Sequence, residues 1–287
     1  MLRQSELFIF LIAGIFFSFL TACNSNSNGS EQVSNADTIS FVTQKIIWHF
    51  EDEFSEEEQE KMQEWITYVC DCAQKVLGRY PFDLNYYFHR EDSADHAVVF
   101  GHTGRTKTTH GAHFYVNPVF PLDDFMNEWM GAHEISHLAL PIMPKKHIWF
   151  YEGFATYLSR KVMIEMGTLT EAEADSVAYA RIGLIKYGYE SNSNFIFVAD
   201  SLGALHHYPE LYWGGGSYFH KIDRELEASG KISLVNVVKY FQMWAHQSLL
   251  KIDDVIIAFD KISQSTIFSD LRNDYSTLPA REILTEY

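Results

Sequence analysis

Apolar positions along the chain follow two spacings, and the change from one to the other divides it. Residues Phe41–Phe50 are rich in aromatic and β-branched residues and predict a strand. Ser55 and Glu58 then form a capping-box pair. Behind them Met62, Trp65, Ile66, Val69, Ala73, Val76 and Leu77 recur at three- and four-residue steps, the buried stripe of a helix that ends near Gly78. Three more strands are predicted at Leu84–His89, Ala97–Phe100 and His113–Val116, with Gly101–Gly111 as the loop between the last two. From Leu122 the spacing turns helical. Leu122, Phe125, Met126, Trp129 and Met130 mark one helix, opened by Asp123 and Asp124 and stopped by Pro141 and Pro144. A second begins near His147. An acid-rich turn from Thr170 leads into Ala178–Tyr189, Ser191–Phe195 reads as a break, and further helices are expected at Gly214–Ala228, Leu234–Trp244, Asp253–Ile262 and Ile267–Asp274. The order predicts an α+β fold, a small N-terminal β-sheet with helices followed by a mainly α-helical lobe.

The N-terminus is of another kind. Met1–Ala22 has Arg3, the apolar run Leu7–Leu20 and small residues before Cys23, the layout of a secretory signal peptide. Its end, Leu20-Thr21-Ala22-Cys23, resembles the bacterial lipobox, which implies cleavage before Cys23 and lipidation of that cysteine. Residues 24–38 have almost no apolar content, so 23–39 reads as a flexible tether ahead of a folded domain at 40–287. The formal net charge of -16 argues against nucleic acid as a partner and against electrostatic attachment to an anionic bilayer, so lipid is the expected route to the membrane. Cys70 and Cys72, two apart on a predicted helix, point in different directions and are expected as buried apolar residues.

The chemistry concentrates in residues 129–157. His133-Glu134-Ile135-Ser136-His137 places two imidazoles four residues apart, on one face of a helix, with a carboxylate beside them. Glu152 lies among aromatic and small apolar residues, in Trp149-Phe150-Tyr151-Glu152-Gly153-Phe154-Ala155-Thr156-Tyr157. A charge there is costly without a partner, and a zinc ion held by His133, His137 and Glu152 would supply one. Three protein ligands leave a position for water, the open coordination of a catalytic site, and Glu134 is then the expected general base.

These motifs resemble the gluzincin branch of zinc metallopeptidases, the peptidase MA superfamily that includes thermolysin and the M1 and M61 peptidases. The resemblance implies a zinc site between the two lobes, His133, His137 and Glu152 as ligands, and Glu134 as the base acting on a zinc-activated water. The connection 138–151 is shorter than in the larger gluzincins, which suggests a compact domain. By the same resemblance a peptide substrate adds to an edge strand, expected at Gly111–Asn117. Where M1 aminopeptidases have Gly-x-Met-Glu-Asn on that strand, this chain has Gly111-Ala112-His113-Phe114-Tyr115, so aminopeptidase specificity is not implied.

Leu211–Asp223 is the second informative stretch. Gly214-Gly215-Gly216 at a helix entrance suggests close approach by substrate or by another helix. Tyr212-Trp213-Gly214-Gly215 resembles the M61 segment whose tyrosine faces the metal, which implies Tyr212 as an oxyanion donor; a core aromatic is the other reading. Tyr218 and His220 are alternatives for the same role. His102, His110, His113, His147, His206 and His207 are expected on the surface or in loops, and Thr156 either packs between helices or orients a ligand. The expectation is an exported, lipid-anchored zinc peptidase of the cell envelope acting on a peptide or protein substrate. The alternative is a non-catalytic lipoprotein that holds a peptide or glycan in the same cleft.

Overall fold

A computed structural model describes residues 44–106, 108–143, 147–189, 192–245 and 250–284. The expected signal peptide and tether, and the first positions of the strand expected from Phe41, lie outside the described residues. Strand β1 is Ile46–Phe50, β2 Leu84–Arg90, β3 Val98–Arg105 and β4 His110–Val116. They form a four-stranded sheet in the order β1-β2-β4-β3. β1, β2 and β4 run parallel, and β3 pairs antiparallel with β4.

This order corrects two expectations. Gly111–Asn117 is not an edge, because β4 is bonded to β2 on one side and β3 on the other; the edge strand beside it is β3. Gly101–Arg105, expected as loop, continues that strand. Its Gly-His-Thr-Gly-Arg sequence has no apolar alternation, but backbone pairing with β4 does not require one.

The inner sheet face packs on helix α1, Glu56–Leu77, which opens on the Ser55/Glu58 capping box as expected. Trp65 is fully buried, with its ring 5.1 Å from Phe114 of β4 and 5.3 Å from Phe125. Burying a side chain of this size contributes roughly 3 kcal/mol. Cys70 and Cys72 are buried free thiols, as the pattern predicted, and burial pushes the Cys70 thiol up to about 12.

The rest is helical: α2 Leu122–Met126, α3 Trp129–His137, α4 Ile148–Met166, α5 Glu171–Ile185, α6 Phe195–Ala204, α7 Tyr208–Ala228, α8 Leu234–Ala245, α9 Ile252–Ser263, α10 Ile267–Thr277 and α11 Ala280–Ile283. The single helix expected from Leu122 is two, because Glu128 takes an extended backbone (φ -75, ψ 130) and restarts the chain as α3. Helix α6 was not foreseen; Asn194 caps it by accepting from the Phe197 N–H. Helix α7 begins at Tyr208, with proline in its first turn, six residues before the expected start. The three glycines therefore lie inside it. There they serve a helix crossing: a Cβ at Gly215 would sit 2.2 Å from the Trp149 carbonyl oxygen, and one at Gly153 would sit 2.2 Å from the Gly215 carbonyl carbon. The close approach is by another helix, and it fixes α7 against α4.

Candidate metal centre

Every residue of α3 from Gly131 to His137 is buried. On it the His133 and His137 rings stand edge to face, 4.7 Å between centroids. Helix α4 brings Glu152 to them, its Oε2 3.2 Å from His133 Nε2 and 3.4 Å from His137 Nε2. All three donor atoms lie within 4.8 Å of one another, and among the described residues no other group of three His, Cys, Asp or Glu converges this way.

The donor set tests well against zinc. Two imidazole nitrogens and one carboxylate oxygen match the ion's preference, and three of them leave room for a further ligand. Burial pushes the Glu152 carboxyl up, but His137 and His133 outweigh it and hold the group well below the usual carboxylate range. Glu152 is thus a partly exposed carboxylate facing both imidazoles. The Nδ1 atoms of both histidines are buried without a hydrogen-bond partner among the described residues. Aromatic contacts orient the rings instead: Tyr151 stacks on His137 at 3.9 Å and 13°, Trp129 meets His133 edge-on at 4.9 Å, and Tyr212 approaches His133 at 5.7 Å.

Glu134 points from α3 toward the sheet, where the Thr103 hydroxyl of β3 donates to its Oε2 at 2.8 Å. The Tyr212 phenol is pushed well above the ordinary tyrosine range, first by burial and then by the charges of Glu152 and Glu134. Neither alternative to Tyr212 joins the group. Tyr218 is fully buried and donates to the Phe268 carbonyl at 2.6 Å. His220 sits between Tyr157 and Tyr179, 4.0 Å from Asp175. Thr156 is a packing residue, its methyl 3.4 Å from where a Gly216 Cβ would be. His102 and His110 are strand residues of β3 and β4 rather than loop residues, and His113 lies in β4 as the strand expected at His113–Val116 required.

Three residues near the centre were missed from the sequence. Trp129 precedes His133 by one helical turn, so helical spacing could have found it, whereas Tyr151 meets His137 only because α4 packs beside α3. Thr103 reaches the centre only through sheet pairing, and nothing local signals it.

A similar fold, a small N-terminal sheet followed by a mainly helical region, occurs in solved structures. A mutant of a two-domain M1 zinc metallopeptidase bound to L-arginine is similar with a TM-score of 0.51 at 10% identity, over 80% of this chain and 48% of that one. The fold of this chain matches that of this M1 peptidase structure. A second similar structure, an M1 zinc metallopeptidase mutant from Deinococcus radiodurans, has a TM-score of 0.47 at 11% identity over the same shares, 80% and 48%. The chain thus spans about half the length of the structures it resembles. No protein-family model matches the sequence, and no curated protein does.

Proposed function

We propose that this protein is a zinc-dependent peptidase, exported and anchored in the cell envelope by lipid on Cys23. The observation that carries the reading is the convergence of His133, His137 and Glu152 donor atoms within 4.8 Å, with the Glu134 carboxylate on the next residue of the same helix. Bound there, zinc would supply Lewis acidity toward a peptide carbonyl and toward water. The chain's own residues supply the rest. Glu134 takes the proton of the attacking water and returns it to the leaving amine. Tyr212, whose phenol stays protonated at neutral pH, donates to the oxygen that gains charge as the carbonyl becomes tetrahedral.

Substrate binds as a further strand on the free edge of β3, whose outer backbone groups have no partner strand among the described residues. Gly101, Thr103 and Arg105 face the helices from this strand, in contact with Glu134 or the Leu140 carbonyl. None is acidic. A site strand with no carboxylate to hold a free amine supports cleavage within a chain over release of its first residue.

The test is zinc content per chain together with hydrolysis of a mixed peptide library, on protein starting after Cys23 and on its Glu134→Gln variant. One zinc in both and cleavage only by the unmutated protein is the expected result. One zinc without cleavage by either would favour a protein that binds peptide or glycan without cutting it, and no zinc would remove the site.

A further inference from the structure

We infer that Thr103 is a positioning residue for the base Glu134, so that the strand which docks substrate also aims the group that activates water. The inference rests on the peptidase reading of this site. Glu134 is 6% exposed, and Thr103 Oγ1 is the side-chain donor its carboxylate meets among the described residues, at 2.8 Å to Oε2. That contact occupies one carboxylate oxygen and leaves Oε1 for the proton. Two residues earlier on the same strand, Gly101 brings bare backbone against the stem of Glu134: a Cβ there would lie 3.1 Å from Glu134 Cγ and 3.0 Å from Met130 Cγ. The side chain is thus gripped twice by β3, by a glycine that lets the strand close on its methylenes and by a threonine that fixes its head.

The consequence is mechanical. A glutamate has three side-chain torsions, and a general base works only when its oxygen lies within hydrogen-bond reach of the proton it takes. β3 is paired on one side only, to β4, so its position is the least constrained in that half of the sheet. A peptide adding to the free side completes the pairing, steadies β3, and through Thr103 steadies Glu134.

Two variants separate positioning from plain filling of a polar contact. Thr103→Val keeps the shape and removes the donor; Thr103→Ser restores the donor on a smaller side chain. With zinc content equal to that of the unmutated protein, Thr103→Val is expected to lower kcat by roughly ten- to a hundredfold with KM little changed, and Thr103→Ser to recover most of the loss. Crystal structures of the zinc-loaded proteins are expected to show the Glu134 carboxylate displaced in Thr103→Val and in place in Thr103→Ser. An unchanged kcat, or a Glu134 that holds its position without the hydroxyl, would overturn the inference. Unmutated protein that holds zinc and cleaves no peptide would instead remove the peptidase reading and this role with it, an outcome distinct because no variant is needed to see it.

Discussion

The chain builds two clusters of histidines, and they are opposites. On α3, His133 and His137 are one turn apart and aim their Nε2 atoms at a common point beside Glu152. On the outer sheet face, His49, Tyr87, His113 and His102, one from each strand, lie in one row of the pairing register. Their rings stack like books, at 4.2, 4.3 and 4.7 Å between neighbours and within 9° of parallel. His89 and Tyr115 extend the stack in the next row. Stacked rings offer faces to each other, and among the described residues no three donors of this stack converge. Helical spacing gathers lone pairs at a point, whereas cross-strand pairing gathers ring faces. One arrangement could hold a cation, and the other disfavours a proton on His113. Protonating His113 is opposed by burial and then by the neighbouring His102 and His89, which holds its pKa below the ordinary histidine value. Its 3.1 Å contact with His89 Nε2 also needs one unprotonated nitrogen to accept.

The contrast can be broken most severely at the cluster on α3, the proposed zinc site. His137→Ala is expected to lose zinc on dialysis and to lower kcat/KM by roughly a thousandfold or more, read by metal analysis and peptide hydrolysis; retained zinc with retained cleavage would move the ligands elsewhere. Tyr212→Phe should keep zinc and lose roughly a hundredfold in kcat, and an unaltered kcat would return Tyr212 to the role of a core aromatic. Gly215→Ala drives a methyl into the Trp149 carbonyl and should cost about 1–3 kcal/mol in denaturant unfolding, more than the same change at Gly167, which has nothing within 4 Å but a positive φ of 75.

The smallest effects belong to the stack. His113 has a depressed folded pKa, so the unfolded chain takes the proton first as pH falls: its contribution is complete above the ordinary histidine pKa and is lost below it. The melting temperature of zinc-free protein should therefore fall from pH 7.5 to 5, and fall less in His113→Phe, which keeps the ring. Equal slopes in the two proteins would show that the stack carries no such penalty. His49→Ala, at the end of the row, should cost under about 1 kcal/mol and leave zinc binding untouched.

Much of the site was legible because its rules are local. Two histidines four apart share a helix face whatever else the fold does, and an acid set among Trp149, Phe150 and Phe154 signals a partner before the partner is seen. The capping box at Ser55 and the stripe from Met62 to Leu77 were readable for the same reason: each depends on a few neighbouring residues. Helix α6 and the true start of α7 were not, since Gly214-Gly215-Gly216 weakens a helix by propensity and is tolerated only because Gly153 arrives opposite it.

The sequence by itself determined the α+β order of elements, the grouping of His133, His137 and Glu152 that converges in the fold, and the carboxylate of Glu134 beside it. Tertiary structure alone decided that β4 lies inside the sheet and β3 at its edge, that Thr103 touches Glu134, that Tyr212 rather than Tyr218 or His220 reaches the histidines, and that four strands align their outward rings. A helix writes its period into successive residues, but strand order and helix crossings join segments far apart in the chain, and no short stretch of sequence records which partner it will meet.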